Sequence, residues 1–212
     1  MTNESPVIYI VDDDPSMRKF LRRLVSLSGL QSETFTSAEE FLHSVHPDTP
    51  GCLLLDVMMP GLSGLDLQRE LSRAGLHMPI IFITGHGDIP MSVQAMKAGA
   101  VSFLTKPLQN QELLDAIQEA ASLARAARNR QQELSSLRQH YELLTPRERQ
   151  VFALVTTGGL NRQIAEELSI SERTVKAHRK QVVKKMAAHS VAELVRIAER
   201  LGVTPPHVKR FD

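Results

Sequence analysis

The chain has 212 residues, more than one small domain needs and suited to two. Its formal charge of +1 hides an asymmetry: residues 1–110 hold 8 Lys and Arg against 12 Asp and Glu, a net of −4, while residues 141–212 hold 13 against 8, a net of +5. One cysteine, Cys52, excludes an internal disulfide framework; no apolar run approaches the roughly 18 residues of a membrane span, and no basic segment precedes an apolar one at the N-terminus, so a cytoplasmic protein is expected. Opposite charge signs predict different partners: a cation for the front half and a polyanion for the back.

The first predicted strand is Val7-Ile8-Tyr9-Ile10-Val11, after which Asp14 caps a helix with Pro15 in its first turn. Met17, Leu21, Leu24 and Leu27 form the apolar face of that helix. Ser37 and Glu40 make a capping box for a second helix. Leu53-Leu54-Leu55, with Cys52 as a buried neighbour, and Ile80-Ile81-Phe82-Ile83 read as strands buried on both sides. Further helices fit residues 64–73 and 90–98, followed by the short strand Val101-Ser102-Phe103-Leu104. Alternation of this kind predicts a doubly wound parallel sheet with right-handed connections.

Strand ends in such a sheet converge on one edge. Asp12 and Asp13 follow the first strand, Asp56 the second, Thr84 the third and Lys106 the fourth, so three carboxylates, a hydroxyl and an ammonium are expected in one pocket. Clustered carboxylates repel unless a cation neutralises them, and a hard, oxygen-only set suits Mg²⁺. Asp56 then supplies a nucleophilic oxygen to an incoming phosphoryl group, with Lys106 pairing its charge and Thr84 donating a hydrogen bond. The backbone carbonyl of Met58 is a further candidate ligand.

From Gln109 to about Leu137 the pattern is helical, and its core spacing degrades into alanine and glutamine. Two readings stand for this linker, a solvated spacer or a helix that helps dimerise the chain. Beyond it the sequence is almost wholly helical. Thr145-Pro146-Arg147-Glu148 caps one helix that Gly158-Gly159 ends, Asn161 caps a short one, and Ser169-Ile170-Ser171 makes a tight turn into the next. On that next helix Val175, His178, Val182 and Met186 face inward, and Arg173, Lys176, Lys180 and Lys184 form an outward basic stripe. Helix, tight turn and basic helix describe a helix-turn-helix DNA reader. Lys176, Arg179 and Lys180 are candidates for base-edge or nearby phosphate contacts, and Arg173 and Thr174 for phosphate contacts. His178 has no second ligand at metal spacing and reads as a packed histidine. Ser190 and Glu193 match a capping box for a last helix ending before Gly202.

These motifs resemble a known family. Ile10-Val11-Asp12-Asp13-Asp14, Leu55-Asp56-Val57-Met58-Met59-Pro60-Gly61, Ile83-Thr84-Gly85-His86-Gly87-Asp88 and Phe103-Leu104-Thr105-Lys106-Pro107 resemble the receiver domain of bacterial two-component response regulators. Leu144-Thr145-Pro146-Arg147-Glu148-Arg149, Asn161 to Leu168 and Ser171 to Arg179 resemble the LuxR/NarL-type DNA-binding domain, and the combination is similar to the FixJ subfamily. The resemblance implies a five-stranded receiver over residues 1–123, a helical linker at 124–140, a helix-turn-helix domain at 141–204 and a flexible tail at 205–212.

It further implies phosphoryl transfer from a sensor histidine kinase to Asp56 with Mg²⁺ near Asp12, Asp13 and Asp56. Thr84 and Phe103 would act as the switch, the chain would dimerise through parts of residues 89–105, and the Lys106–Pro107 bond would be cis. The expected product is a dimeric transcription regulator that binds promoter DNA and works with RNA polymerase, without enzymatic turnover. Phe103 stands where tyrosine is frequent, Met58 and His86 occupy positions that tune phosphate lifetime, and Ala177 stands where some relatives place a larger apolar contact. A constitutive DNA-binding protein with a passive receiver and an aspartyl-phosphate phosphatase are the alternatives.

Overall fold

The structure is a computed structural model, and it describes residues 6–44, 51–85 and 87–203. His86 and the tail from residue 205 therefore lie outside the described residues. The chain divides into two compact units, Met1–Asn129 and Arg130–Asp212.

The first unit carries five parallel strands: β1 (Val7–Val11), β2 (Ser32–Phe35), β3 (Gly51–Asp56), β4 (Ile80–Thr84) and β5 (Ser102–Thr105), ordered β2-β1-β3-β4-β5. Connecting them are α1 (Pro15–Leu27), α2 (Ala38–Ser44), α3 (Gly64–Arg73) and α4 (Ile89–Lys97), with α5 (Asn110–Glu142) following β5. The doubly wound sheet expected from the alternation is the one observed. β3 and β4 are buried along their whole length, which is why their sequences are continuous apolar runs. β2 has no such run: it is an edge strand whose single fully buried residue is Phe35, and sequence reading placed no strand there.

Two cores flank the sheet. Tyr9, Val11, Phe35, Phe41, Leu55, Leu67 and Phe82 pack on one side, and Ile8, Ile10, Leu21, Val25, Ile81, Leu113 and Ile117 on the other. On α1 the expected face needs one correction, because Leu27 is 77% exposed and Val25 is fully buried. Val25 follows Leu21 by four residues and lies on the buried face, whereas Leu27 sits about 60° beyond Leu24. Asp14 caps α1 by accepting from Ser16 N–H, with Pro15 at the first helical position, as expected.

Helix α5 is one element through Glu142, longer than its sequence pattern predicts. Leu113, Ala116, Ile117 and Ala120 are buried in the receiver, while Leu137 and Tyr141 pack on the helical core of the second unit. One face of the last turns is therefore packed within the second unit, while most of residues 125–140 are exposed.

The second unit continues with α6 (Pro146–Thr156), α7 (Asn161–Glu167), α8 (Glu172–Lys185) and α9 (Val191–Leu201) around Val151, Phe152, Ile164, Val175, Val182, Met186 and Leu194. The Thr145 capping box of α6 is complete: its hydroxyl accepts from Glu148 N–H at 3.2 Å and the Glu148 carboxylate accepts from Thr145 N–H at 2.8 Å. Two other boxes are offset. The Ser37 and Ser190 hydroxyls accept from the third helical residue as expected, but Glu40 reaches back to Thr36 N–H and Glu193 to His189 N–H, one residue earlier than the motif predicts. Asn161 is not the cap of α7. Leu160 holds that position, and its N–H is taken by the Gln163 side chain at 2.8 Å.

Candidate functional site

The acidic site is assembled by strand ends, because β1 and β3 are adjacent in register and deliver Asp12 and Asp56 to the same edge. Asp12 and Asp56 are buried and Asp13 is exposed; one carboxylate oxygen from each lies within 4.8 Å of the others. The donor set is hard oxygen only and open on the Asp13 side, which fits a small divalent cation. Lys106 Nζ stands 3.0 Å from Asp56 Oδ2 and 3.2 Å from Asp12 Oδ2. Its cis bond to Pro107 follows β5, and its N–H donates to the Thr84 carbonyl at 2.7 Å, which ties the lysine to the end of β4.

The charges respond to this crowding. Burial raises the Asp12 carboxyl above its ordinary pKa, with the Asp14 N–H, the Lys106 ammonium and the hydrogen bond between them and Asp12 pulling the other way. Burial would lower the Lys106 ammonium, but its hydrogen bond to Asp56 and the charges of Asp12 and Asp56 leave it raised. Lys106 is thereby held as a cation.

Thr84 is fully buried at the end of β4. Phe103 is half-buried on β5, its ring centroid 6.1 Å from that of Phe82. Met58 is exposed and its N–H donates to Asp56 Oδ1 at 3.2 Å, so it sits at the mouth of the site. The start of α3 presses on the same strand end: a Cβ on Gly64 would stand 2.3 Å from the Asp56 carbonyl oxygen, which leaves room only for glycine. Sequence reading missed two supports. Arg18 Nη1 donates to the Asp12 carbonyl at 2.6 Å, and Glu39 accepts from Leu62 N–H at 3.0 Å, pinning the loop that carries Met58. Both act across a turn of helix or a loop, where no periodic signal exists.

In the second unit the turn between α7 and α8 is built by Ser169, which takes a left-handed φ of 52°, and by Ile170, whose N–H donates to the Ala165 carbonyl and whose side chain packs on the core. The Arg147 guanidinium donates to the Leu168 carbonyl and fixes the turn to α6. Ser171 caps α8 by accepting from Thr174 N–H at 3.1 Å, and the two hydroxyls are 2.8 Å apart. Arg173, Lys176, Ala177, Lys180 and Lys184 are exposed along one face, with Thr174 half-buried beside them. Arg179 lies on the flank and donates to Asn161 Oδ1 at 2.9 Å, linking α8 to the start of α7. Lys185 points away from the stripe and pairs at 2.6 Å with the buried Glu148.

The chain matches the response regulator receiver domain over residues 8–118 and the luxR family of bacterial regulatory proteins over residues 142–198. It is a FixJ-type two-component response regulator. Among relatives of this regulator, Nodulation protein W of Bradyrhizobium diazoefficiens is 50% identical over 96% of this chain and 90% of that protein, and the response regulator protein TodT of Pseudomonas putida is 51% identical over 95% and 88%. Of solved structures, the response regulator StyR is similar at 46% identity and a TM-score of 0.83, covering 92% of this chain and 99% of that one. Full-length FixJ from B. japonicum is similar at 38% identity and a TM-score of 0.55, covering 94% and 98%. The regulator therefore joins a receiver to a luxR-type DNA-binding domain and belongs to the transcription regulators. Among its described residues no helix is long and apolar enough to cross a membrane.

Proposed function

We propose that the regulator accepts a phosphoryl group on Asp56 from the phosphohistidine of a sensor kinase, dimerises, and binds promoter DNA to control transcription by RNA polymerase in the cytoplasm. The observation that carries the reading is the convergence of Asp12, Asp13, Asp56 and Lys106 at one sheet edge, with Lys106 Nζ 3.0 Å from the Asp56 oxygen. Mg²⁺, held by Asp12, Asp13, Asp56 and the Met58 carbonyl, would neutralise the carboxylates and draw phosphoryl oxygens toward Asp56. An Asp56 oxygen attacks phosphorus, the bond to the kinase imidazole breaks, and an acyl phosphate forms. Lys106 shifts its pairing from the carboxylates to a phosphoryl oxygen, and the Thr84 hydroxyl donates to another.

Withdrawal of Thr84 toward the phosphoryl group makes room for the Phe103 ring, so the chemistry is read out as a shift between two populations. Moving such an equilibrium from 1:99 to 99:1 takes about 5.5 kcal/mol of differential interaction. The surface that answers is α4 with β5, where Ile89, Val93 and Met96 stand exposed at helical spacing and suit a second copy of the receiver. Two α8 helices then meet two half-sites, with Arg173, Thr174, Lys176, Ala177, Arg179, Lys180 and Lys184 as the contacts. The exposed Met58 side chain shields the acyl phosphate from water, with His86 as the other residue tuning its lifetime. The chemistry at Asp56 is self-modification and its reversal, without turnover of a separate substrate.

Intact-mass measurement tests the first step. Incubation with a small-molecule phosphodonor and Mg²⁺ adds one phosphoryl group to the wild type and none to Asp56→Asn; equal labelling of both would place the acceptor elsewhere.

A further inference from the structure

The loop between β4 and α4 contains two glycines, Gly85 and Gly87, and neither has a left-handed φ that would demand glycine. Both are exposed, so burial does not demand it either. Their surroundings differ. Nothing lies within 4 Å of a Cβ built at Gly85, whereas a Cβ at Gly87 would stand 3.0 Å from Phe103 Cε1, 3.1 Å from Thr84 Cγ2 and 3.1 Å from Thr105 Cγ2. These are side-chain atoms at a separation tighter than ordinary packing, so a methyl there forces its neighbours aside. Two of the three neighbours are the residues that the proposed switch moves.

We propose that Gly87 is a positioning residue of the switch: its lack of a side chain provides the clearance through which Thr84 and Phe103 change their arrangement together. Thr84 and Phe103 lie on adjacent strands, and Phe82 is paired in register with Phe103 and in ring contact with it. The loop that leads from β4 into α4 passes over both side chains at Gly87. A methyl at this point touches both at once, and the three atoms nearest to it belong to Phe103, Thr84 and Thr105, none to Asp12, Asp56 or Lys106. It meets Thr84 at the methyl Cγ2 and not at the hydroxyl, so its first effect falls on the read-out.

This inference rests on the phosphorylation reading above, and the experiment separates the two. Full-length wild type, Gly87→Ala and Gly85→Ala are treated with a small-molecule phosphodonor and Mg²⁺, and phosphoryl uptake by intact mass and oligomeric mass by sedimentation are recorded on the same samples. The expected result is equal uptake by all three, which also shows that each receiver is folded. With it comes dimerisation about tenfold weaker for Gly87→Ala, the order expected for one crowded methyl, and unchanged for Gly85→Ala. The inference is overturned if phosphorylated Gly87→Ala dimerises like wild type, if it dimerises without the phosphodonor, if it loses uptake, or if Gly85→Ala is impaired to the same degree. A wild type that takes up the group without gaining mass removes the switch itself, and the inference with it.

Discussion

Replacement of Lys185 by methionine isolates one buried charge in the DNA-binding unit. Glu148 is 5% exposed, and its carboxylate accepts from Lys185 Nζ at 2.6 Å and from Thr145 N–H at 2.8 Å. Lys185 also donates to the Leu143 carbonyl at 3.1 Å, so the lysine fastens the end of α8 to the entry of α6. Methionine keeps the aliphatic stem and leaves the Thr145 cap intact, which confines the loss to the ammonium. Removing one partner of a fully buried pair costs about 3–5 kcal/mol, and because the Lys185 side chain keeps 29% of its exposure the figure here is nearer 2 kcal/mol. That corresponds to roughly a 30-fold increase in the open population of α6 and α8.

The pH dependence has a definite sign. Burial pushes the Glu148 carboxyl up, but the hydrogen bonds from Lys185 and Thr145 bring it below its ordinary value of 4.5. A lowered folded pKa gives stability that is complete above the unfolded value and lost as pH falls through the folded one. The penalty of Lys185→Met is therefore full near neutrality and shrinks in acid, beginning as Glu148 protonates in the variant, where Lys185 no longer lowers its pKa, and is smallest once Glu148 has protonated in the wild type too. Amide hydrogen exchange followed by mass spectrometry reads α6 and α8 directly, with receiver peptides as the internal control. Unchanged exchange in α6 and α8 at neutral pH, or a gap between variant and wild type that widens in acid, would refute the reasoning.

Lys176→Ala and Lys180→Ala should each weaken binding to duplex DNA and lower the slope of log affinity against log salt by about 1, while Lys185→Met leaves that slope unchanged; titrations at several salt concentrations check this. Ala187 closes α8 with a left-handed φ of 50°, so Ala187→Gly should stabilise the second unit by about 1 kcal/mol, read as slower exchange in α8 and α9. Val93→Asp places a charge on the exposed α4 face and should abolish phosphodonor-dependent dimerisation, seen by sedimentation, while phosphoryl uptake at Asp56 stays at the wild-type level.

The sheet was legible because β3 and β4 announce themselves as apolar runs and because Asp12, Asp56, Thr84 and Lys106 each follow a strand. Parallel register then does the assembling. β2 escaped because an edge strand with one buried residue carries no run, and Leu27 was misplaced because a 3.6-residue period leaves the boundary of a helical face open by one position. Local motifs predicted the hydroxyl half of the caps at Ser37 and Ser190, but not that the glutamates would reach one residue further back. The pairs that join distant segments were invisible: Glu148 with Lys185, Arg147 with the Leu168 carbonyl, Arg179 with Asn161. Each depends on how helices cross, which charge spacing along one helix does not encode. The extension of α5 to Glu142 has the same origin, since only the folded second unit gives Leu137 and Tyr141 a surface to pack on.

Phosphorylation as the gate of DNA binding is most directly tested by the affinity of the full-length protein for its operator at fixed salt, with wild type and Asp56→Asn each measured with and without phosphodonor and Mg²⁺. Selection from genomic fragments supplies the operator. Wild type should gain affinity together with dimeric mass, and Asp56→Asn should gain neither. Equal affinity of the two proteins in the presence of the phosphodonor would contradict the account, leaving the helix-turn-helix as a DNA reader that the receiver does not control.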